Sequence, residues 1–313
     1  MTAIVAALSR MTALALVLLL ALFVAGVEII RPGTVSPLWA SNIVMFAAPL
    51  AILGAGQTLV MLTGGIDLSV ASVATGAAYL LATNAGRGDL TALTLALSLG
   101  LIVGAINGLG VAILRVQPLV MTLGTGLMTG GVMIVYSQQM LASQPHVPEI
   151  VQALGAGKLY GLVPFDLLLW IPLSAGMLFL LGRTGLGRLT YAVGDNREAC
   201  HLSGIRVWRV LFVDYWICSF LAAIAGIVMV GGTNAADMSL ADSFLLPSVA
   251  CVIIGGTSIF GGRGGYGGTI VGALILTVLS SILTLADVSE PVKQILYGAI
   301  ILLLAAGYAR LTE

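Results

Sequence analysis

Charge is what this chain has least of. Only 8% of its 313 residues are Asp, Glu, Lys or Arg, against about 25% in ordinary soluble domains. So few charges cannot clothe a surface that faces water. Aromatic residues reach only 6%, histidine occurs twice (His146 and His201) and cysteine three times, at Cys200, Cys218 and Cys251. Two distant histidines exclude a histidine-based metal site. The scattered cysteines, with no CxxC spacing, read as small apolar residues of buried helices. The formal net charge is zero, so the basic excess that favours nucleic acid is missing.

Nucleotide and catalytic signatures are missing too. The closest approach to a phosphate-binding GxxxxGK[ST] loop is "GAGKLY", Gly155–Tyr160, which lacks the first glycine and the final hydroxyl. No GxSxG elbow occurs. "GGRGGYGG" fits GxGxxG at Gly262, Gly264 and Gly267. However, a dinucleotide site needs a preceding strand, and the flanks here are apolar helices. Eight glycines between Gly255 and Gly268 read instead as a tight turn. The chain is expected to bind no cofactor and to catalyse no reaction of its own. His146, in "SQPHVPEI", is expected to have a structural role.

What the chain has is grease. Apolar residues make up 59% and the mean hydropathy is +1.11. A bilayer-spanning helix needs about 20 such residues. That ruler predicts an all-α integral membrane fold with about ten spans, eight or nine being the alternatives. They fall at 11–29, 43–62, 68–84, 90–114, 119–136, 166–182, 209–231, 243–260, 268–286 and 291–309. The first is too long for a signal-peptide core and lacks a good cleavage site, so it is read as retained. With both termini cytoplasmic, nine of the 13 Lys and Arg residues lie inside, as the positive-inside rule asks. The whole chain then forms one transmembrane domain. An external loop covers 137–165 and a cytoplasmic loop covers 183–208.

One dense island of charge, "GDNREACHLSGIRVWRV" (residues 194–210), holds three arginines, an aspartate, a glutamate and a histidine. Asp195 followed by Glu198 resembles a capping box. Gly204 suits the left-handed position after a helix end. A two-turn helix is therefore expected from Asn196 to Ser203, with Ala199, Leu202 and Ile205 on one face and Arg197 and His201 on another. Such a helix is too short to stand alone.

Polar residues inside spans are costly against lipid. Gln57, Thr58, Asn107, Thr122, Thr125, Asn234 and Ser258 are amides and hydroxyls, and Asp214 is a rare acid. Interhelical hydrogen bonding is one reading. A path for a neutral, hydroxylated solute is the other, lined by Gln57, Asn107, Gln117, Thr122 and Asn234. "DLSVAS" at Asp67–Ser72 also echoes "DMSLAD" at Asp237–Asp242, each after a Gly-Gly pair. Five spans separate them, which is the layout of an inverted repeat of spans 2–5 and 7–10.

"LTGGIDLSVAS", "GLGVAILRVQPLVMTLGT", "YAVGDNREACHLSGIRV" and "VIIGGTSIFGGRGGYGGTIVGAL" together resemble the ribose-type permeases of bacterial ABC importers. Within the island, "EACHLSG" resembles the EAAxxxG signature of ABC permeases, with Cys200 in the second Ala position. Gln117 before Pro118 and the glycine-rich "GGYGGT" depart from that pattern. The resemblance implies an inner-membrane permease for a monosaccharide. It also implies a second permease subunit (identical or paralogous), an external solute-binding protein and a cytoplasmic ATPase carrying ATP and magnesium. Asp195, Asn196, Arg197, Glu198, Ala199, Leu202, Ser203 and Gly204 would couple to that ATPase. Gly261, Gly262 and Arg263 would form a loop at the inner gate, with Arg263 facing water. The rival class is a secondary sugar carrier driven by ions, against which the sparse intramembrane carboxylates count.

Overall fold

A computed structural model describes the backbone of residues 2–140 and 146–312, and side chains from 14 to 306 within them. Part of the 137–165 loop and the side chains of Arg10 and Arg310 lie outside the described residues. The fold is a helical bundle: α1 (Thr2–Ile30), α2 (Pro37–Leu62), α3 (Val70–Asn84), α4 (Asp89–Ala112), α5 (Pro118–Gln139), α6 (Glu149–Ala156), α7 (Leu167–Arg183), α8 (Gly185–Asp195), α9 (Arg197–Leu202), α10 (Val207–Thr233), α11 (Leu245–Ile254), α12 (Tyr266–Leu285) and α13 (Glu290–Thr312). A two-residue antiparallel ribbon, β1 (Lys158–Leu159) with β2 (Val163–Pro164), follows α6.

Each of the ten expected spans overlaps an observed helix, although α1 and α2 begin at Thr2 and Pro37, before the expected starts at 11 and 43. Local chemistry sets their ends. Ser36 caps α2 by accepting from the Trp39 N–H at 3.2 Å, and Pro37 takes the first helical position, where its missing N–H costs nothing. Among the described residues, α2, α4, α5, α10 and α12 are long and apolar enough to cross a bilayer. The pair α7 and α8, bent by 66°, makes a sixth if taken together.

The expected span at 243–260 needs correction. Its helix α11 ends at Ile254 and covers 10 residues, roughly 15 Å at helical rise, half the hydrocarbon thickness. A loop then begins at Gly255. Gly256, Gly261, Gly262 and Gly264 all take positive φ there, which only glycine adopts freely. α3 is short as well, with 15 residues, 12 of them buried.

The core is centred on α2 and α10. From Ala47 to Leu62, every residue of α2 is buried, as expected of a helix apolar all round. α10 lies against α4 through a stripe of small residues. A Cβ on Gly100, Gly104 or Gly108 would come within 2.9 Å of Ser219, Trp216 or Phe212 respectively. This four-residue spacing lets two backbones touch where packing, not hydrophobicity, must hold helices together. All three cysteines are free and buried.

Candidate functional site

The charged island spans the end of α8, the whole of α9 and the start of α10, and one expectation about it is corrected. Asn196, not Asp195, caps α9. Asn196 is extended (φ −155°, ψ 100°) and its Oδ1 accepts from the Ala199 N–H at 2.8 Å. Asp195 is instead the last residue of α8. α8 continues that far because Val193 is fully buried with Leu211 and Val210, and because Gly194 lies against the Leu62 carbonyl where no Cβ would fit. The helix therefore runs Arg197–Leu202, one residue inside the expected bounds at each end.

Its other end is as expected. Gly204 sits at φ +79°. The Ile205 N–H donates to Cys200 O and the Gly204 N–H to His201 O, both at 3.0 Å, the paired bonds of a Schellman ending. Cys200 turns inward onto Val193, Val210 and Leu211. Asp195, Asn196, Arg197, Glu198, Ala199, Leu202 and Ser203 are exposed, Leu202 at 81%. A two-turn helix thus presents an apolar knob outward from a rim of charge.

α8 and α9 are pinned to two other segments. Arg197 Nη2 donates to Thr63 O at 2.5 Å, just beyond the end of α2. The Gly262 N–H donates to Leu62 O at 2.9 Å, and the Tyr191 hydroxyl to Gly264 O at 2.9 Å. The glycine loop therefore touches both the end of α2 and the end of α8. Gly261 (φ +92°) lies tight against Gly194 and Leu62, and Arg263 is exposed.

Behind this junction runs the corner Ile66–Ser69 between α2 and α3. Gln57 Nε2 donates to Asp67 O at 2.6 Å, and its Oε1 accepts from the Asp67 N–H at 3.2 Å. Thr122 Oγ1 accepts from the Leu68 N–H at 3.0 Å and donates to Ile66 O at 3.2 Å. Asn107 Nδ2 donates to Ser69 Oγ at 2.9 Å, and Thr125 Oγ1 donates to Asn107 Oδ1 at 2.5 Å. Asp67 Oδ1 accepts from the Ser69 N–H (2.8 Å) and hydroxyl (2.6 Å), while Ser219 Oγ of α10 donates to Oδ2 at 3.4 Å. Gln57, Asp67, Asn107 and Thr122 have no solvent exposure. The structure thus brings three of the five sequence-selected path residues together as a frame around one corner. It separates the other two: exposed Gln117 edges a groove beside α9, and exposed Asn234 (φ +50°) ends α10 at its far end.

The scan against family models matches residues 39–305 to the "Branched-chain amino acid transport system / permease component" family. The chain belongs to this permease family. Among curated proteins, the Ribose import permease protein RbsC of Escherichia coli (strain K12) is 36% identical over 266 residues, covering 84% of this chain and 83% of the relative. Its Bacillus subtilis (strain 168) counterpart is 32% identical over 279 residues, covering 88% and 86%. The Fructose import permease protein FrcC of Rhizobium meliloti is 32% identical over 267 residues, covering 83% and 74%. No solved structure matches. As a permease component the chain is a transport subunit, not an enzyme, and a multi-pass protein of the bacterial inner membrane.

Several features escaped sequence reading. Asp67 and Ser69 stand out in the sequence only as half of an echo, yet they are the buried centre of a corner. α8 falls within the 183–208 stretch expected as loop; its Thr184 cap, accepting from the Gly187 N–H at 3.2 Å, is the local signal for it. The 137–165 segment holds α6 and a ribbon whose turn residues Tyr160 and Gly161 are both left-handed.

Proposed function

We propose that this permease carries a neutral monosaccharide, a pentose or hexose, as the membrane-spanning subunit of an ABC importer. It pairs with a second permease subunit, identical or paralogous. It receives solute from an external binding protein and is driven by a cytoplasmic ATPase that holds ATP and magnesium. The relatives named for ribose and fructose import support the solute class. About ten spans, both termini inside, a coupling loop over 183–208 and an external loop over 137–165 complete the reading.

The observation that carries it is the double attachment of α9. Its outer face, with Leu202, Ala199 and Ser203, is free, and its inner side is tied through Arg197 to the end of α2. A short helix with an exposed apolar knob fits a groove on a partner. A rigid connection then moves Thr63, the corner at Asp67 and the glycine loop at Gly261–Arg263 together. Gln57, Asn107 and Thr122 transmit that motion, while Gln117 and Asn234 stand towards the two ends of the path.

The inverted repeat finds support in local geometry. Asp237 Oδ1 accepts from the Ser239 N–H and hydroxyl, both at 2.7 Å, as Asp67 does from Ser69. Each turn leads into a short helix, α3 or α11, and interrupted helices at matching positions mark solute sites in transporters built from repeats.

The test is ATP hydrolysis by the assembled complex, with and without solute-loaded binding protein. Gly204→Val places a β-branched residue at φ +79°, a strain of roughly 1–3 kcal/mol. Stimulated hydrolysis should fall on the order of tenfold. Glu198→Arg, against the positive N-terminus of α9, should act in the same direction. A pull-down of the ATPase checks assembly. Two variants that assemble, hydrolyse and transport like the parent would leave α9 a mere connector. Transport by the purified chain alone under an ion gradient would return the secondary carrier.

A further inference from the structure

Beside α9 lies a groove of about 860 Å³, walled on one side by the α4–α5 corner and on the other by the start of α10. Arg115, Arg197, Arg206 and His201 line it, with Glu198 as its one acid and Trp208 at its rim. Three arginines against one glutamate leave a surplus of positive charge. No hydrogen bond or ion pair engages the side chain of Arg115 or Arg206 among the described residues, and of the groove's arginines only Arg197 is committed, to Thr63 O.

Arg115 also stands where glycine is usual. The Leu114 N–H donates to Leu109 O and the Val116 N–H to Gly110 O, so Arg115 holds the left-handed position of a helix ending at φ +56°. A side chain kept there against its backbone preference directs attention to what that side chain does.

The surroundings settle what kind of ligand fits. Ile113 (52% exposed) and Leu114 (71%) precede Arg115, and Leu119 and Val120 (42% and 60%) follow it. Trp208, 43% exposed, is of the residue type that sits at membrane–water boundaries. The groove is therefore cationic inside and opens beside an apolar surface. A small soluble anion would use the first feature only, whereas a lipid uses both.

We infer that this groove binds the phosphate headgroup of an anionic phospholipid, with its acyl chains along the exposed faces of α4 and α5. Arg115 and Arg206 hold the phosphate, and Trp208 marks the headgroup level. Its location at the cytoplasmic leaflet, where anionic lipid and basic pockets meet, rests on the orientation proposed above. Binding itself does not depend on the coupling role of α9, so either proposal can fail alone.

Native mass spectrometry of the purified chain in neutral detergent reads lipid binding directly, with phosphatidylglycerol as probe, phosphatidylcholine as neutral control and glycerol phosphate as headgroup alone. Phosphatidylglycerol should bind at least tenfold tighter than either control. Arg115→Gly relieves the backbone while deleting the charge, so it should keep the fold. Together with Arg206→Gln it should weaken phosphatidylglycerol binding roughly 10- to 30-fold, the scale expected for two basic groups at a membrane surface. Arg183→Gln with Arg188→Gln removes the same charge from exposed positions outside the groove and should leave binding within about twofold. Equal binding of both lipids, equal loss in both double variants, or glycerol phosphate binding as tightly as the lipid would each overturn the assignment. So would displacement of the lipid by the partner ATPase, which would make the groove a protein-docking surface.

Discussion

Two corners of the molecule share one local design and differ in everything around it. At Asp67 and again at Asp237, a carboxylate accepts both the N–H and the hydroxyl of a serine two residues on. The first corner is buried, and side chains from α2, α4, α5 and α10 close on it through Gln57, Asn107, Thr122 and Ser219. The second is exposed. Its segment is tied by the Ala241 N–H donating to Thr75 Oγ1 at 3.1 Å and by Gln294 Nε2 donating to Ser243 O at 3.1 Å. Ser239, by its hydroxyl and then its N–H, holds the Asp237 carboxyl below the usual carboxylate range. The same turn is thus enclosed where helices surround it and open to solvent where they do not. Packing, not the motif, decides which.

Replacing the two aspartates breaks the comparison most directly. Asp67→Ala strips the acceptor from two Ser69 donors and from Ser219 in a dry core. Each stranded buried donor costs about 1–3 kcal/mol, so a total loss of about 3 kcal/mol or more is expected in denaturation of the purified protein. Asp237→Ala, with water at hand, should stay within about 0.5 kcal/mol of the parent. Equal losses would mean that the outer turn is as constrained as the inner one.

The glutamines sharpen it. Gln57→Leu leaves both the N–H and the C=O of Asp67 unpaired, and about 2 kcal/mol should be lost. Gln294→Leu frees one carbonyl that water can reach, and its effect should be barely measurable. The same pair separates frame from path. A cysteine at 57 should resist a water-soluble thiol reagent in a chain otherwise free of cysteine, and one at 117 or 234 should react. Rapid labelling at 57 in the resting state would contradict a closed frame.

Long apolar runs made the main helices legible, five of them long and apolar enough to cross a bilayer among the described residues, because hydrophobic length is dictated by the bilayer itself. The span expected over 243–260 fails at its end: "GGTSIF" is apolar enough to pass as membrane, but α11 ends at Ile254 and Gly256 takes a positive φ. The island was legible as a short capped helix. The choice between Asp195 and Asn196 was not, since either side chain can cap and the buried setting of Val193 and Gly194 decided it. The polar residues of the spans were found, but a sequence cannot say whether an amide faces a cavity or a backbone. Gln57 shows the second case: both of its amide groups are used by one residue, Asp67, ten positions away.

The smallest test concerns a single bond. Thr75 lies on α3, 4% exposed, and its hydroxyl oxygen accepts from the N–H of Ala241, which is itself fully buried. Thr75→Val keeps the shape and removes the acceptor, so that N–H loses its partner at a cost of about 1 kcal/mol. The bond links α3, which starts at the inner corner, to the segment just after the outer one. If the corners are separate units, hydrogen exchange should quicken across 237–244 and stay unchanged across 63–69, because Gln57 and Thr122 hold the latter independently. ATP hydrolysis without binding protein should also be unaffected. Exchange rising equally at 63–69 would mean that α3 transmits displacement along its whole length. The two corners would then be one mechanical element, and the contrast between the enclosed and the open corner would fall.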